Sequence, residues 1–257
     1  MKRSELAQLI DHTLLRPEAT AADVARHVAV ARRLGVWAVC LSPSLIPLGD
    51  AVTSGHAVKV SALGPDPLAR SAAAGPAEPQ QGSECLDQLG RGGLKVAVVA
   101  GFPSGAHYPE VKAAEAARAR ADGADELDMM TNLRWIVEGD WARVSQDVIA
   151  VRAAFPRPLV LKVILETAAL TDRMIVRAAE AAAEAGADFV KTSTGFHPAG
   201  GATVEAVKLL AQAVGPAVGV KASGGIRTTD QALAMVRAGA TRLGLSATEQ
   251  VLAGLPE

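Results

Sequence analysis

The chain has 257 residues, of which 49% are hydrophobic and only 3% aromatic, and a formal net charge of -1. That length suits one α/β domain or two small ones, with a core built from Ala, Val, Leu and Ile. Evenly mixed charges exclude a broad nucleic-acid footprint, and no apolar run approaches the ~18 residues of a membrane helix.

Cys40 and Cys85 make neither a metal spacing nor a disulfide framework, which fits a reducing cytoplasm. Met1-Lys2-Arg3 has no apolar run behind it and is not read as a signal peptide. A short helical turn over Ser4–Leu9 leads into Ile10-Asp-His-Thr-Leu-Leu15, the first expected strand. Thr20 with Asp23 reads as a helix N-cap; Val24, Val28, Ala31 and Leu34 share one face, and Gly35 ends the helix. The continuous apolar run Val36–Leu41 reads as a buried parallel strand, followed by a loop marked by Pro43 and Pro47. Residues 61–93 carry Gly, Pro, Ser and Gln without periodicity and are expected to form a long loop insertion.

Order returns at Lys95–Pro103, and from there one unit repeats. Helices over Pro109–Asp122 and Trp141–Ala154 alternate with strands at Glu126–Met130 and Leu159–Glu166. Helices capped by Thr171, Thr203 and Thr228 precede strands that carry Lys191, Lys221 and Leu243. Gly35, Gly123, Gly186 and Gly239 each stop a helix just before a strand. Strict alternation with buried strands means a parallel sheet under helices, and eight such units favour a closed (β/α)8 TIM barrel, read as a single domain over 1–257. No Gly-x-Gly-x-x-Gly follows the first strand, which weighs against dinucleotide binding.

Four strands place an ionisable residue between apolar or small neighbours: Leu127-Asp128-Met129, Leu161-Lys162-Val163, Val190-Lys191-Thr192 and Val220-Lys221-Ala222. Lys191 is taken to lie in mid-strand. With side chains alternating between faces, Asp128, Lys162, Lys191 and Lys221 point into the lumen, and Asp11 is a candidate to join them. A purely structural set of buried ion pairs is the competing reading. Chemistry that uses such a set is imine formation: an amine attacks a carbonyl only when neutral, and a second ammonium and a water-poor site both favour the neutral form. One lysine is the nucleophile, the other its electrostatic neighbour, and Asp128 with Lys162 moves protons. This chemistry needs no metal or cofactor. His12, His27, His56, His107 and His197 are scattered, and each reads as an ordinary surface or loop residue. Thr194-Gly195, Gly224-Gly225 and Gly244 with Ser246 fall at the ends of the last three strands, where backbone N–H groups hold phosphate in many barrels; the plainer alternative is that they only turn the chain.

These residues carry a resemblance to the class I, Schiff-base deoxyribose-phosphate aldolases. It rests on Ile10–Leu15, Gly101-Phe-Pro103, Gly123–Met129, Leu161–Thr167, Ala187–Phe196 and Val220–Thr228. The resemblance implies a Schiff base on Lys191, a second lysine at Lys221, a catalytic aspartate at Asp128 and a relay partner at Lys162. It implies substrate contacts at Asp11, Thr13, Cys40 and Thr194, and phosphate contacts at Gly195, Gly224, Gly225, Gly244 and Ser246. It also implies reversible cleavage of 2-deoxy-D-ribose 5-phosphate to D-glyceraldehyde 3-phosphate and acetaldehyde by a cytoplasmic homodimer or homotetramer without membrane or nucleic-acid partners. The family's last phosphate loop usually has two consecutive serines; here it reads Ser246-Ala247-Thr248, with Thr248 the candidate replacement hydroxyl. Many members end in a tyrosine that reaches the site, whereas the one tyrosine here is Tyr108. Two alternatives stay open: a Schiff-base aldolase for unphosphorylated aldehydes, and a sugar-phosphate-binding barrel with little turnover.

Overall fold

A computed structural model of the chain describes residues 1–46 and 93–257. The expected insertion, apart from Gly93, lies outside the described residues, as do Pro47, His56 and Cys85. A short helix α1 (Arg3–Ala7) precedes strand β1 (Ile10–Leu14), helix α2 (Ala21–Leu34) and strand β2 (Ala38–Leu41). After the gap come β3 (Lys95–Ala100), α3 (Pro109–Ala121), β4 (Glu126–Met130), α4 (Leu133–Glu138), α5 (Trp141–Ala154) and β5 (Val160–Ile164). The chain then runs through α6 (Asp172–Glu184), β6 (Phe189–Lys191), α7 (Val204–Val214), β7 (Gly219–Ser223), α8 (Thr229–Arg237), β8 (Arg242–Leu245) and α9 (Thr248–Ala253). The strands close in sequence order into an eight-stranded parallel barrel, with β1 pairing β8.

Local chemistry sets the element ends. Thr20 accepts from the Asp23 N–H while Asp23 accepts from the Thr20 N–H, and Thr228 with Gln231 repeats this reciprocal cap. Thr171 and Thr203 accept from Met174 and Ala206 in the same way. Gly35, at φ 63°, closes α2 in a left-handed conformation that costs any residue with a Cβ. Two helices were not foreseen, α4 and α9. Each has six residues, too short to show a sustained apolar period, and each is fixed by packing: Ile136 in α4 and Val251 and Leu252 in α9 are buried.

Strand alternation divides the interior into two layers. Leu127, Met129, Leu161, Val163, Val190, Val220, Ala222, Leu243 and Leu245 belong to one large apolar core with the helices. The alternate residues face the lumen. There Cys40, Ala97 and Val99 form a small apolar cluster of their own beside Leu15 and Phe102. Among the described residues no helix is long and apolar enough to cross a membrane.

Candidate active site

The strand register decides which charged side chains meet. Asp128 on β4 pairs with Lys162 on β5, Lys191 on β6 pairs with Lys221 on β7, and Lys221 pairs with Arg242 on β8. Between β5 and β6 the partners are Lys162 with Phe189 and Ile164 with Lys191. Lys191 therefore stands one layer nearer the C-terminal mouth than Lys162. It is the last residue of a three-residue strand rather than a mid-strand residue, because the chain turns away at Thr192.

The side chains converge as the alternation predicts. Asp128 accepts from Lys162 at 2.7 Å through one oxygen, and from Lys191 and Lys221 at 2.7 Å each through the other. Lys221 also donates to Asp11. Lys162 also meets Glu126 at 2.6 Å. Arg242 closes the floor, donating to Asp11 at 2.8 Å and to Glu126 at 3.0 Å. Its guanidinium lies between the rings of Trp37 and Phe189, 4.9 and 5.3 Å from their centroids. Each of these charged groups is buried, so each depends on the others for the solvation that water would otherwise give.

Burial and charge split the three lysines. Burial pushes Lys191 below the ordinary lysine value; Asp128 opposes this and the Lys221 ammonium reinforces it, with the net direction downward. For Lys221 burial acts downward too, but the carboxylates of Asp11 and Asp128 outweigh it and hold the amine above its ordinary value. Lys162 is likewise held above it, by Asp128, Asp11 and Glu126 against burial. Burial acts to raise Asp128, yet its three lysines keep the carboxyl well below the usual range.

Above this cluster opens a cavity of about 380 Å³, lined by Thr13, Lys191, Thr194, Gly195, Gly224, Gly225, Gly244 and Ser246 among others. Lys191 is on its wall; Lys162 and Lys221 are not. Asp11 and Cys40, expected as substrate contacts, are fully buried and absent from that wall. The Asp11 carboxylate is engaged by Lys221 and Arg242, and Cys40 packs on Ala97 and Val99, where burial pushes its thiol up. The expected phosphate residues all reach the cavity. Gly244 does more than free a backbone N–H: a Cβ there would stand 2.8 Å from the Ser223 Cβ and 3.2 Å from the Lys221 Cε. Gly201 lets the loop after β6 lie on Gly224, whose carbonyl oxygen an added Cβ would meet at 2.3 Å.

Several participants were missed. Glu126 and Arg242 share the lumen parity of Asp128 and Gly244, two residues away on the same strands, and that parity was the available signal. Arg16 and Arg227 add positive charge to the cavity wall. Glu166, at φ 58°, accepts from the Thr194 N–H at 3.2 Å, tying the end of β5 to the loop after β6. Two readings change. Thr248 is fully buried, with its hydroxyl 2.8 Å from the His12 ring and donating to the Leu245 carbonyl, so it does not replace the hydroxyl absent at Ala247. His12 and His27 are not stray surface residues: their rings stack at 3.7 Å, and burial takes His12 down to about 3. Tyr108 is exposed and is not part of the cavity wall.

The sequence matches the family model described as DeoC/LacD family aldolase over residues 6–249. A deoxyribose-phosphate aldolase from Kocuria rhizophila is 53% identical over 253 residues, covering 98% of each chain. One from Corynebacterium diphtheriae is 50% identical over 255 residues, covering 99% of each. Among solved structures, a tetrameric deoxyribose phosphate aldolase from Aeropyrum pernix superposes with a TM-score of 0.73 at 34% identity, covering 98% of this chain and 91% of that one. With a closed parallel barrel, a lysine-rich lumen and this breadth of similarity, the chain belongs to the DeoC/LacD aldolase family.

Proposed function

We propose that this protein catalyses the reversible aldol cleavage of 2-deoxy-D-ribose 5-phosphate to D-glyceraldehyde 3-phosphate and acetaldehyde, through a Schiff base on Lys191. The observation that carries the assignment of the nucleophile is positional. Lys191 is the lumen lysine on the cavity wall, and it is the one whose proton is loosened. Its neutral amine attacks the C1 aldehyde of the open-chain sugar, and loss of water leaves a protonated imine. That imine is an electron sink. When the C3 hydroxyl loses its proton, the C2–C3 bond breaks, glyceraldehyde 3-phosphate leaves, and the electron pair rests in an enamine. Protonation of the enamine carbon and hydrolysis of the imine release acetaldehyde.

Proton movement falls to the groups bonded to Lys191. Lys221 stays an ammonium and serves as a donor; Asp128, held as a carboxylate, receives a proton only in passing and returns it. Lys162 anchors Asp128 from the neighbouring strand. Thr13 and Thr194 flank the sugar. Gly195, Gly224, Gly225, Gly244 and Ser246 form the phosphate side, with Arg16 and Arg227 adding charge. The tetrameric relative supports a homo-oligomer here, a dimer or a tetramer, which sedimentation would distinguish.

Acetaldehyde with borohydride should leave an ethyl group on the Lys191 peptide, read by mass spectrometry. An unmodified Lys191 sinks the assignment. Ala247 and the turned-away Thr248 favour a second reading, an aldolase for unphosphorylated aldehydes. Activity on deoxyribose against its 5-phosphate separates the two, and a strong preference for the phosphate removes the second.

A further inference from the structure

Beneath Lys191 the lumen is closed by groups that do not line the Lys191 cavity. Arg242 has a side chain only 9% exposed, shared between Asp11 and Glu126. Trp37 fixes Glu126 from the other side, its indole N–H donating at 2.7 Å. The buried charges joined by ion pairs in the lumen are three carboxylates, Asp11, Glu126 and Asp128, and four bases, Lys162, Lys191, Lys221 and Arg242; Glu166 is buried outside this network. Fully ionised, that set carries one surplus positive charge in a place where water cannot screen it.

We propose that Arg242 is a positioning residue that sets the charge of Lys191 from the floor of the barrel, by supplying the surplus that makes Lys191 the amine to give up its proton. A guanidinium is the one base in the set that cannot yield its proton. Lys162 is paired with three carboxylates and Lys221 with two, whereas Lys191 is bonded to Asp128 alone, which it shares with both. The surplus is relieved where it is held least, at Lys191. Arg242 does not touch Lys191; it acts by occupying Asp11 and Glu126, which would otherwise be available to the lysines. The groups acting on Lys191 are Asp128 from β4, Lys221 from β7 and the Cys40 thiol from β2, with Lys162 from β5 bonded to the same Asp128. Glu166, near by at the end of β5, has its carboxylate on Thr194.

The proposal rests on Lys191 being the nucleophile, and the test separates the two. Acetaldehyde carries no titrating group, so the rate of borohydride-trapped adduct on Lys191 is followed against pH. Arg242 lies two strands from Lys191, roughly 10 Å, where one unit charge at an effective dielectric of ~20 moves a titration by on the order of one pH unit. In Arg242→Gln the acid limb is expected to move up by about that much, and in Glu126→Gln, which removes a negative charge, to move down. Arg242→Lys keeps the charge and should keep the limb near that of the unaltered protein. A merely structural role lowers the rate at every pH and leaves the limb in place. Glu126→Gln preserves shape and carries the test even where Arg242→Gln does not fold. Limbs that stay fixed, or that move the same way in both variants, overturn the proposal. Absence of any Lys191 adduct in the unaltered protein overturns the underlying assignment instead.

Discussion

Lys112 and Asp147 are buried as completely as the lysines of the lumen, yet the two places differ in what their charges are free to do. Lys112 on α3 meets Asp147 on α5 at 2.6 Å, with both side chains 0% exposed. The loop after β3 closes over the lysine stem, where a Cβ at Gly101 would come within 2.9 Å of the Lys112 Cε. Burial lowers Lys112 and raises Asp147; each is the other's ion-pair partner, and Glu115 adds a second carboxylate near Lys112. Burial lowers Lys191 as well. A depressed lysine is thus no mark of function by itself. The ion-paired cluster of the lumen differs in having more bases than acids and in opening one of those bases to a cavity.

The comparison is broken most completely at Lys191. Lys191→Leu should leave cleavage undetectable in a folded protein, read by coupled detection of glyceraldehyde 3-phosphate and by circular dichroism. Next comes Lys221→Leu, expected to lower kcat by roughly 10² to 10⁴, because it removes a proton donor and lets Asp128 hold Lys191 as an ammonium. A kcat within a factor of two of the unaltered enzyme contradicts the division of roles between the lysines. The helix pair should fail in the opposite manner. Lys112→Met leaves a buried carboxyl without its partner and should cost about 3–5 kcal/mol of stability in urea unfolding, with kcat of the folded fraction unchanged. Lys112→Met with Asp147→Leu should recover most of that loss.

The smallest effect lies in acid. Asp11, Asp128 and Glu126 have folded values below their unfolded ones. Their contribution is complete above the unfolded carboxylate range of about 4 and is lost as pH falls through the folded values. Asp147 is raised, so its contribution is largest at low pH and fades as pH rises through its folded value. The two clusters oppose one another, and the double helix variant should therefore lose stability more steeply in acid. Melting temperatures between pH 3 and 6 would show it, and parallel curves for the two proteins would contradict it.

Much of the site was legible because strand alternation is simple. Asp128, Lys162 and Lys221 each sit between residues of the helix-packed core, and Lys191 follows one, Val190, so their direction followed from the period of two. Glu126 and Arg242 were not read, because each opens its strand beside a polar residue, Asp125 or Thr241, where a charged side chain normally meets water. Closure of the barrel buries them instead. Strand position made Asp11 a candidate for the inward cluster, and its pocket role came from the family resemblance alone; its partners, Lys221 and Arg242, stand 210 and 231 positions away. Thr248 looked like a spare hydroxyl beside Ala247, and only the approach of His12 from β1 shows where that hydroxyl points.

By itself the sequence determined the eight repeated units, the helix caps and stops, and the set of charged residues facing inward, since all of these follow from local spacing and short-range hydrogen bonds. Tertiary structure decided which lysine reaches the cavity. The β5–β6 register lifts Lys191 one layer above Lys162, and the three-residue length of β6 ends the strand at the cavity. It also decided the charge balance beneath, because burial, which turns a surplus charge into a driving force, exists only once the strands have closed.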